Sequence, residues 1–189
     1  MNKTFGIVAG VIGGIILLAA VSSWMAYNGM VSSSEAVDAQ WKQVETQYQR
    51  RFDLIPNLVE SVKAVMSQEK EVFGKLAEAR TKYGGATTPS DKAQAATEVE
   101  SALSRLLVVM ENYPQLKSAE TTQTLMAQLE GTENRIAVER KRYNDEARDY
   151  NIRIKRFPGM IFASLFNFSE KKYFEATAGA ENAPKVNFN

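Results

Sequence analysis

The 189-residue chain carries 23 basic and 22 acidic side chains, a formal net charge of +1, and neither histidine nor cysteine. So even a balance excludes a general nucleic-acid binder, whose electrostatic footprint is a marked basic excess. The missing imidazole and thiol exclude the commonest general acid–base group, thiol nucleophiles, and zinc or iron–sulfur sites built on Cys and His, while carboxylate chemistry remains open.

The first element in chain order is an apolar run. Phe5 to Ala26, FGIVAGVIGGIILLAAVSSWMA, holds no charge over 22 residues, and Glu35 is the first acidic residue. A helix needs roughly 20 such residues to cross the hydrocarbon core of a bilayer. A cleaved signal peptide is the competing reading, supported by Lys3 ahead of the run and by the small residues Ala20 and Ser22. Against it, the run exceeds the roughly 7–15 residues of a signal core, and Trp24 and Tyr27 follow where interfacial aromatics anchor a span. Residues 5–27 are therefore read as a retained single-pass transmembrane anchor, with the lipid bilayer as the first partner. Without cysteine, a lipid cannot be attached at a processed cysteine.

Gly6, Gly10 and Gly14 fall four apart in the anchor, with Ala9 and Gly13 beside them. Small residues at this spacing let helix backbones approach closely in lipid, so the three glycines form a candidate packing face for a homo-oligomer. Lys3 precedes the span, while Glu35 and Asp38 come before the first following cation, Lys42. The positive-inside rule then puts the soluble domain on the exocytoplasmic side.

Beyond the anchor, apolar residues recur with a period near 3.5. The first stripe is Val37, Trp41, Val44, Tyr48, Phe52 and Ile55. The second runs through Val59, Val62, Met66, Phe73, Leu76 and Tyr83, with Glu69 filling the stripe position between Met66 and Phe73. The third is Ala96, Val99, Leu103, Leu106, Met110 and Tyr113. The fourth is Leu125, Leu129, Thr132, Ile136, Tyr143, Ala147, Tyr150 and Ile154. No comparable stretch alternates with period two, so the class is all-α.

Punctuation divides the stripes into four segments. Pro56 lacks an N–H and suits the first turn of a new helix, which places a break between Asp53 and Pro56; one long kinked helix from Ser34 to Tyr83 is the alternative. Gly84-Gly85 ends the second helix. Thr88-Pro89-Ser90-Asp91 caps the third. Asn112-Tyr113-Pro114 closes it, and the fourth runs from about Ser118 to Arg156. Short connections predict an up-and-down, antiparallel four-helix bundle behind the single transmembrane helix.

After Pro158 the apolar residues Met160, Ile161, Phe162, Leu165, Phe166 and Phe168 crowd together between Lys155-Arg156 and Lys171-Lys172. A lid over the bundle end is the favoured reading, and a segment lying at the membrane surface the other. Ala176 to Asn189 reads as an extended tail. The domains are thus an anchor (5–27), a helical bundle (31–157) and a C-terminal apolar segment with tail (158–189).

Several strings exceed generic bundle sequence: RRFDLIPNLVESVK (50–63), ENYPQLK (111–117), TENRIAVERKRYNDEARDYNIRIKRFP (132–158), KYFEA (172–176) and APKVNF (183–188). In this order the chain resembles the LemA family over nearly its whole length, with a variable stretch near 84–102. The resemblance implies a helical bundle behind one N-terminal span, and brings no catalytic, cofactor-binding or metal-binding residues.

Arg50, Arg51, Asp53 and Asn57 form a candidate polar cluster. The structural reading pairs Arg51 and Asp53 with charges on the fourth helix and lets Asp53 or Asn57 cap amides near Pro56; a recognition patch is the alternative. Tyr143-Asn144 and Tyr150-Asn151 repeat one heptad apart, as do Glu139 and Glu146. Those glutamates lack the histidines of carboxylate-bridged metal bundles and read as solvated flanks. The expected function is non-enzymatic: a membrane-anchored scaffold or protein-interaction module that self-associates, with no cofactor and no nucleic acid. A regulatory or sensory adaptor for another membrane protein is the alternative, and a carboxylate-only enzyme the least favoured.

Overall fold

The computed structural model describes residues 3–175, so the tail at 176–189 lies outside the described residues. Those described are all-helical, with no strand. In order they form α1 (Lys3–Lys63), α2 (Lys70–Gly85), α3 (Pro89–Met110), the single turn α4 (Pro114–Lys117), α5 (Glu120–Lys155) and the short α6 (Gly159–Leu165).

α1 is one uninterrupted helix of 61 residues, about 90 Å long at 1.5 Å per residue. It joins the apolar N-terminal run to the bundle without a linker. Pro56 lies inside it, so the break expected between Asp53 and Pro56 does not occur. The helix tolerates proline there because the ring stands on the exposed side, while Ile55, Leu58 and Val62 are fully buried on the other. Burial of each such side chain contributes about 1.5–3 kcal/mol, which together outweighs the roughly 3 kcal/mol cost of an internal proline.

The chain turns instead at residues 64–69. Val65 N and Met66 N both donate to the Val62 carbonyl, at 3.1 and 2.9 Å, and Glu69 N donates to the Met66 carbonyl at 3.0 Å. Met66 is fully buried and plugs the turn. The long-kinked-helix alternative therefore fails too, since α1 ends at Lys63. The lost stripe position at Glu69 marks the turn: this residue precedes α2 and accepts a 3.2 Å hydrogen bond from Tyr113 Oη. Val72, rather than Phe73, carries the next fully buried position.

α3 starts as its sequence dictates. Thr88 Oγ1 accepts from Asp91 N at 3.1 Å and donates to Asp91 Oδ2 at 2.6 Å, with Pro89 in the first turn. Cap and proline satisfy or remove amides that would otherwise lack partners.

α1 and α5 pack as one antiparallel pair, as the contacts Gly29–Arg153, Gln40–Glu139 and Arg51–Glu133 show by their opposed numbering. α2 and α3 form an antiparallel hairpin, with Lys82 to Glu98 at 2.9 Å. Tyr83 joins the two units: its ring meets Phe52 edge-on at 4.2 Å between centroids and Tyr48 at 5.9 Å. The fourth stripe, from Leu125 to Ile154, is buried throughout.

Candidate functional site

The regular seam of α1 runs Val37, Trp41, Val44, Tyr48, Arg51, Ile55, Leu58, Val62, alternating steps of four and three. Arg51 occupies an apolar position and is 2% exposed. On α5 the same alternation from Ile136 to Tyr143 passes through Arg140, which is half-buried. The two arginines meet the same carboxylate on α3: Glu100 lies 4.0 Å from Arg51 Nη1 and 3.4 Å from Arg140 Nη2. Arg51 also pairs with Glu133 of α5, and Arg140 Nε donates to Tyr48 Oη at 2.9 Å.

Burial lowers the Arg51 pKa, opposed by the charge of Glu100 and reinforced by that of Arg140. Burial likewise raises that of Tyr48, against the charge of Arg140. One turn away, hydrogen bonds from Lys42 and then Lys92 hold the Glu45 carboxyl below its ordinary range. An arginine in an apolar seam needs an acidic partner, because removing one member of a buried pair leaves an uncompensated charge. Any other register of the α2–α3 hairpin would take Glu100 away from both arginines. The layer therefore fixes how the two units dock.

A second polar arrangement closes the groove between α1 and α5. Asn167, with φ at 58°, turns the chain out of α6, and residues 168–175 return along the bundle as a strap. Asn151 donates from Nδ2 to the Lys171 carbonyl at 2.9 Å and accepts from Lys171 N at 2.9 Å. Asn144 does the same for Phe174, at 2.9 and 2.8 Å. Seven helical residues rise about 10.5 Å, and three extended residues span about 10 Å. The heptad spacing of the asparagines thus matches the spacing of residues 171 and 174 on the strap.

Side chains lock the strap in place. The Phe174 ring stacks on Trp41 at 5.7 Å and meets Tyr143 edge-on at 5.1 Å. Tyr150 Oη donates to the Ser169 carbonyl at 3.0 Å, and Lys171 Nζ reaches both Asp38 oxygens, at 2.7 and 2.9 Å. Strap, α5 and α1 are tied as one unit.

Of the four residues proposed as a polar cluster, Arg51 alone turns inward to Glu133 on α5. Asp53 faces outward and accepts from Gln49 Nε2 at 2.8 Å within α1. Asn57 is exposed, and Arg50 lines a surface groove with Leu54, Gln128 and Arg135. Glu139 accepts from Gln40 Nε2 at 2.6 Å and from Arg142 Nη1 at 2.8 Å. Sequence reasoning passed over Arg140 and Glu100, although the gap in the fourth stripe at position 140 pointed to the first. The repeated Tyr-Asn pairs were the readable sign of the strap.

The apolar run of α1 is long and apolar enough to cross a membrane, and among the described residues nothing buries it: its mean hydropathy is 2.4 with 0% of the window buried. Gly6, Gly10 and Gly14 have open space where a side chain would be.

Comparison with known proteins follows this architecture. Residues 40–188 match the LemA family. Magnetosome protein MamQ 1 and magnetosome protein MamQ 2 of Paramagnetospirillum magneticum are each 30% identical over 177 residues, covering 80% of this chain and 65% of theirs. Magnetosome protein MamQ of Magnetospirillum gryphiswaldense is 29% identical over 182 residues, covering 82% of this chain and 67% of its own. The chain thus spans about two thirds of the length of these relatives.

Proposed function

The chain belongs to the LemA family, and from that premise we propose that it is a non-enzymatic, membrane-anchored scaffold or protein-interaction module. α1, α2, α3 and α5 act as its up-and-down antiparallel bundle. The observation that carries this reading is the continuity of α1. One helix presents an uncovered apolar surface over residues 5–26 and a fully packed seam from Val37 to Val62. The bundle stands rigidly on its span, as a unit that positions other molecules at a membrane requires. The relatives are designated magnetosome proteins, a designation that names no reaction.

Self-association is the mode of action we favour, through the open face of Gly6, Gly10 and Gly14. The soluble domain is placed on the exocytoplasmic side, on the charge asymmetry around the span. The same helix continuity also supports a second reading, an adaptor that transmits movement between the span and a membrane-protein partner.

Replacing Gly10 with Ile tests self-association. Its branched side chain occupies the volume a neighbouring backbone needs, while the segment remains apolar enough to insert. Crosslinking in membranes should show a smaller assembly for Gly10→Ile than for the parent, with the bundle's helicity unchanged. An assembly of unchanged size would refute packing through this face.

A further inference from the structure

α6 closes the end of the bundle nearest the apolar run, and only one of its faces does so. Ala163 is buried, and Phe162 and Phe168 pack against the core. Phe166 meets the Tyr27 ring edge-on at 5.0 Å, and Phe168 lies 5.9 Å from the same ring. Gly159 lets the helix press against α5 and α1: a Cβ there would collide with the Arg153 carbonyl oxygen and stand 3.3 Å from Met30 Cε. The lid reading thus accounts for this inner face.

It does not account for the outer one. Phe157, Met160, Ile161 and Leu165 are exposed, Phe157 at 78% and Leu165 at 67%. Met160, Ile161 and Leu165 share one side of α6, and Phe157 lies just before its start. Scattered exposed apolar residues need no explanation, but a contiguous apolar patch marks a surface meant to be covered.

The position of the patch identifies what covers it. α6 packs against α1 at Tyr27 and Met30, immediately after the apolar run. A groove of about 550 Å³ joins Met25 and Ala26 on the run to Phe157 and Gly159 at the entry to α6, with Asp149, Arg153 and Arg156 along it. Through Phe157 and Gly159 the entry to α6 adjoins the end of the apolar run of α1. Trp24 and Tyr27, the aromatics suited to the membrane interface, lie at the same level. Arg156 is exposed beside this groove, whereas Arg153 Nη1 is fixed on the Gly29 carbonyl at 2.7 Å.

We propose that α6 is a membrane-interface shelf. Phe157, Met160, Ile161 and Leu165 bed into the boundary between headgroups and acyl chains, and Arg156 faces anionic headgroups. Because α1 is continuous, span and bundle tilt in the bilayer as one body; a second lipid contact off the α1 axis fixes that tilt. This inference rests on residues 5–26 spanning the bilayer.

The absence of cysteine makes the test clean. Single-cysteine variants of the full chain, Ile16→Cys, Val108→Cys, Ile161→Cys and Leu165→Cys, are spin-labelled and reconstituted into vesicles of phosphatidylcholine and phosphatidylglycerol. Collision with oxygen, which partitions into lipid, is compared with collision with a water-soluble nickel chelate. Val108 is exposed on α3 and serves as the aqueous reference. The shelf predicts an oxygen-to-nickel ratio at 161 and 165 shifted from the Val108 value toward that of Ile16. Ratios at 161 and 165 equal to that of Val108, with Ile16 in lipid, overturn the shelf and leave the span intact. Exclusion of both reagents from 161 and 165 also overturns it, because protein, such as a second copy, then covers the face. An aqueous Ile16 defeats the span itself, and the shelf with it.

Discussion

The two stretches of α1 are one helix under opposite rules. Over residues 5–26 the apolar side chains point in every direction and none is buried among the described residues; Leu17 is 65% exposed. From Val37 to Val62 apolar side chains occupy one seam, and Val44, Leu58 and Val62 are at 0%. A helix apolar all round needs a solvent of lipid, whereas a striped one needs protein neighbours. Continuity of backbone therefore says nothing about continuity of environment. The change is set by side-chain pattern alone, and it is complete within about three turns.

The sharpest way to break this comparison is to delete the same atoms from each stretch. Leu58→Ala should destabilise the bundle by about 3 kcal/mol, through lost burial and a residual cavity. Leu17→Ala should leave bundle unfolding unchanged. Thermal or denaturant unfolding of the full chain in detergent, followed by circular dichroism, measures both. Equal effects would mean that the apolar run packs against the bundle.

A smaller effect is expected at the strap. Asn151→Ala removes two hydrogen bonds to Lys171 and should cost about 2 kcal/mol. Amide exchange at Lys171 and Phe174 should accelerate, while exchange in the α2–α3 hairpin stays as it was. An unchanged Lys171 amide would show that the aromatic contacts of Phe174 hold the strap alone.

The smallest effect concerns Glu45, whose carboxyl is held below its ordinary range by Lys42 and Lys92. A depressed folded-state pKa contributes stability above the ordinary carboxylate range and loses it as pH falls through the folded value. Glu45→Gln should therefore cost about 0.5–1 kcal/mol near neutrality, and the difference from the parent should vanish in acid. A gap that persists at low pH would assign the loss to packing.

Much of this architecture was legible because burial in a bundle follows period. The fourth stripe needed no correction, and Thr88-Pro89 marked the start of α3 by cap chemistry. The errors arose where one local rule met a competing energy. Pro56 signals a break, yet its exposed position let the buried seam carry the helix through. The actual turn depends on Met66 reaching the core, a tertiary event with only the lapse at Glu69 to announce it. The expected pairing of Arg51 with a charge on the fourth helix is present at Glu133. Its place in the seam is missing from the stripe, because a charged residue is not expected there and the neighbouring Phe52 is also buried. The unbroken alternation through 48, 51 and 55 was the better guide. Glu100 had no local signal, since its role comes from two arginines on other helices. The strap was half-visible in the Tyr-Asn repeat, but its partner lies in chain without periodicity.

The account rests on α1 carrying the bundle on a lipid-embedded span. Membranes containing the full chain, washed at alkaline pH, test this most directly beside a fragment of residues 31–189. The account predicts that the full chain stays with the membranes, because an uncharged 22-residue span is not stripped as a peripheral helix is. The fragment should be soluble, helical and cooperative in unfolding. Full-length protein in the wash supernatant would contradict it.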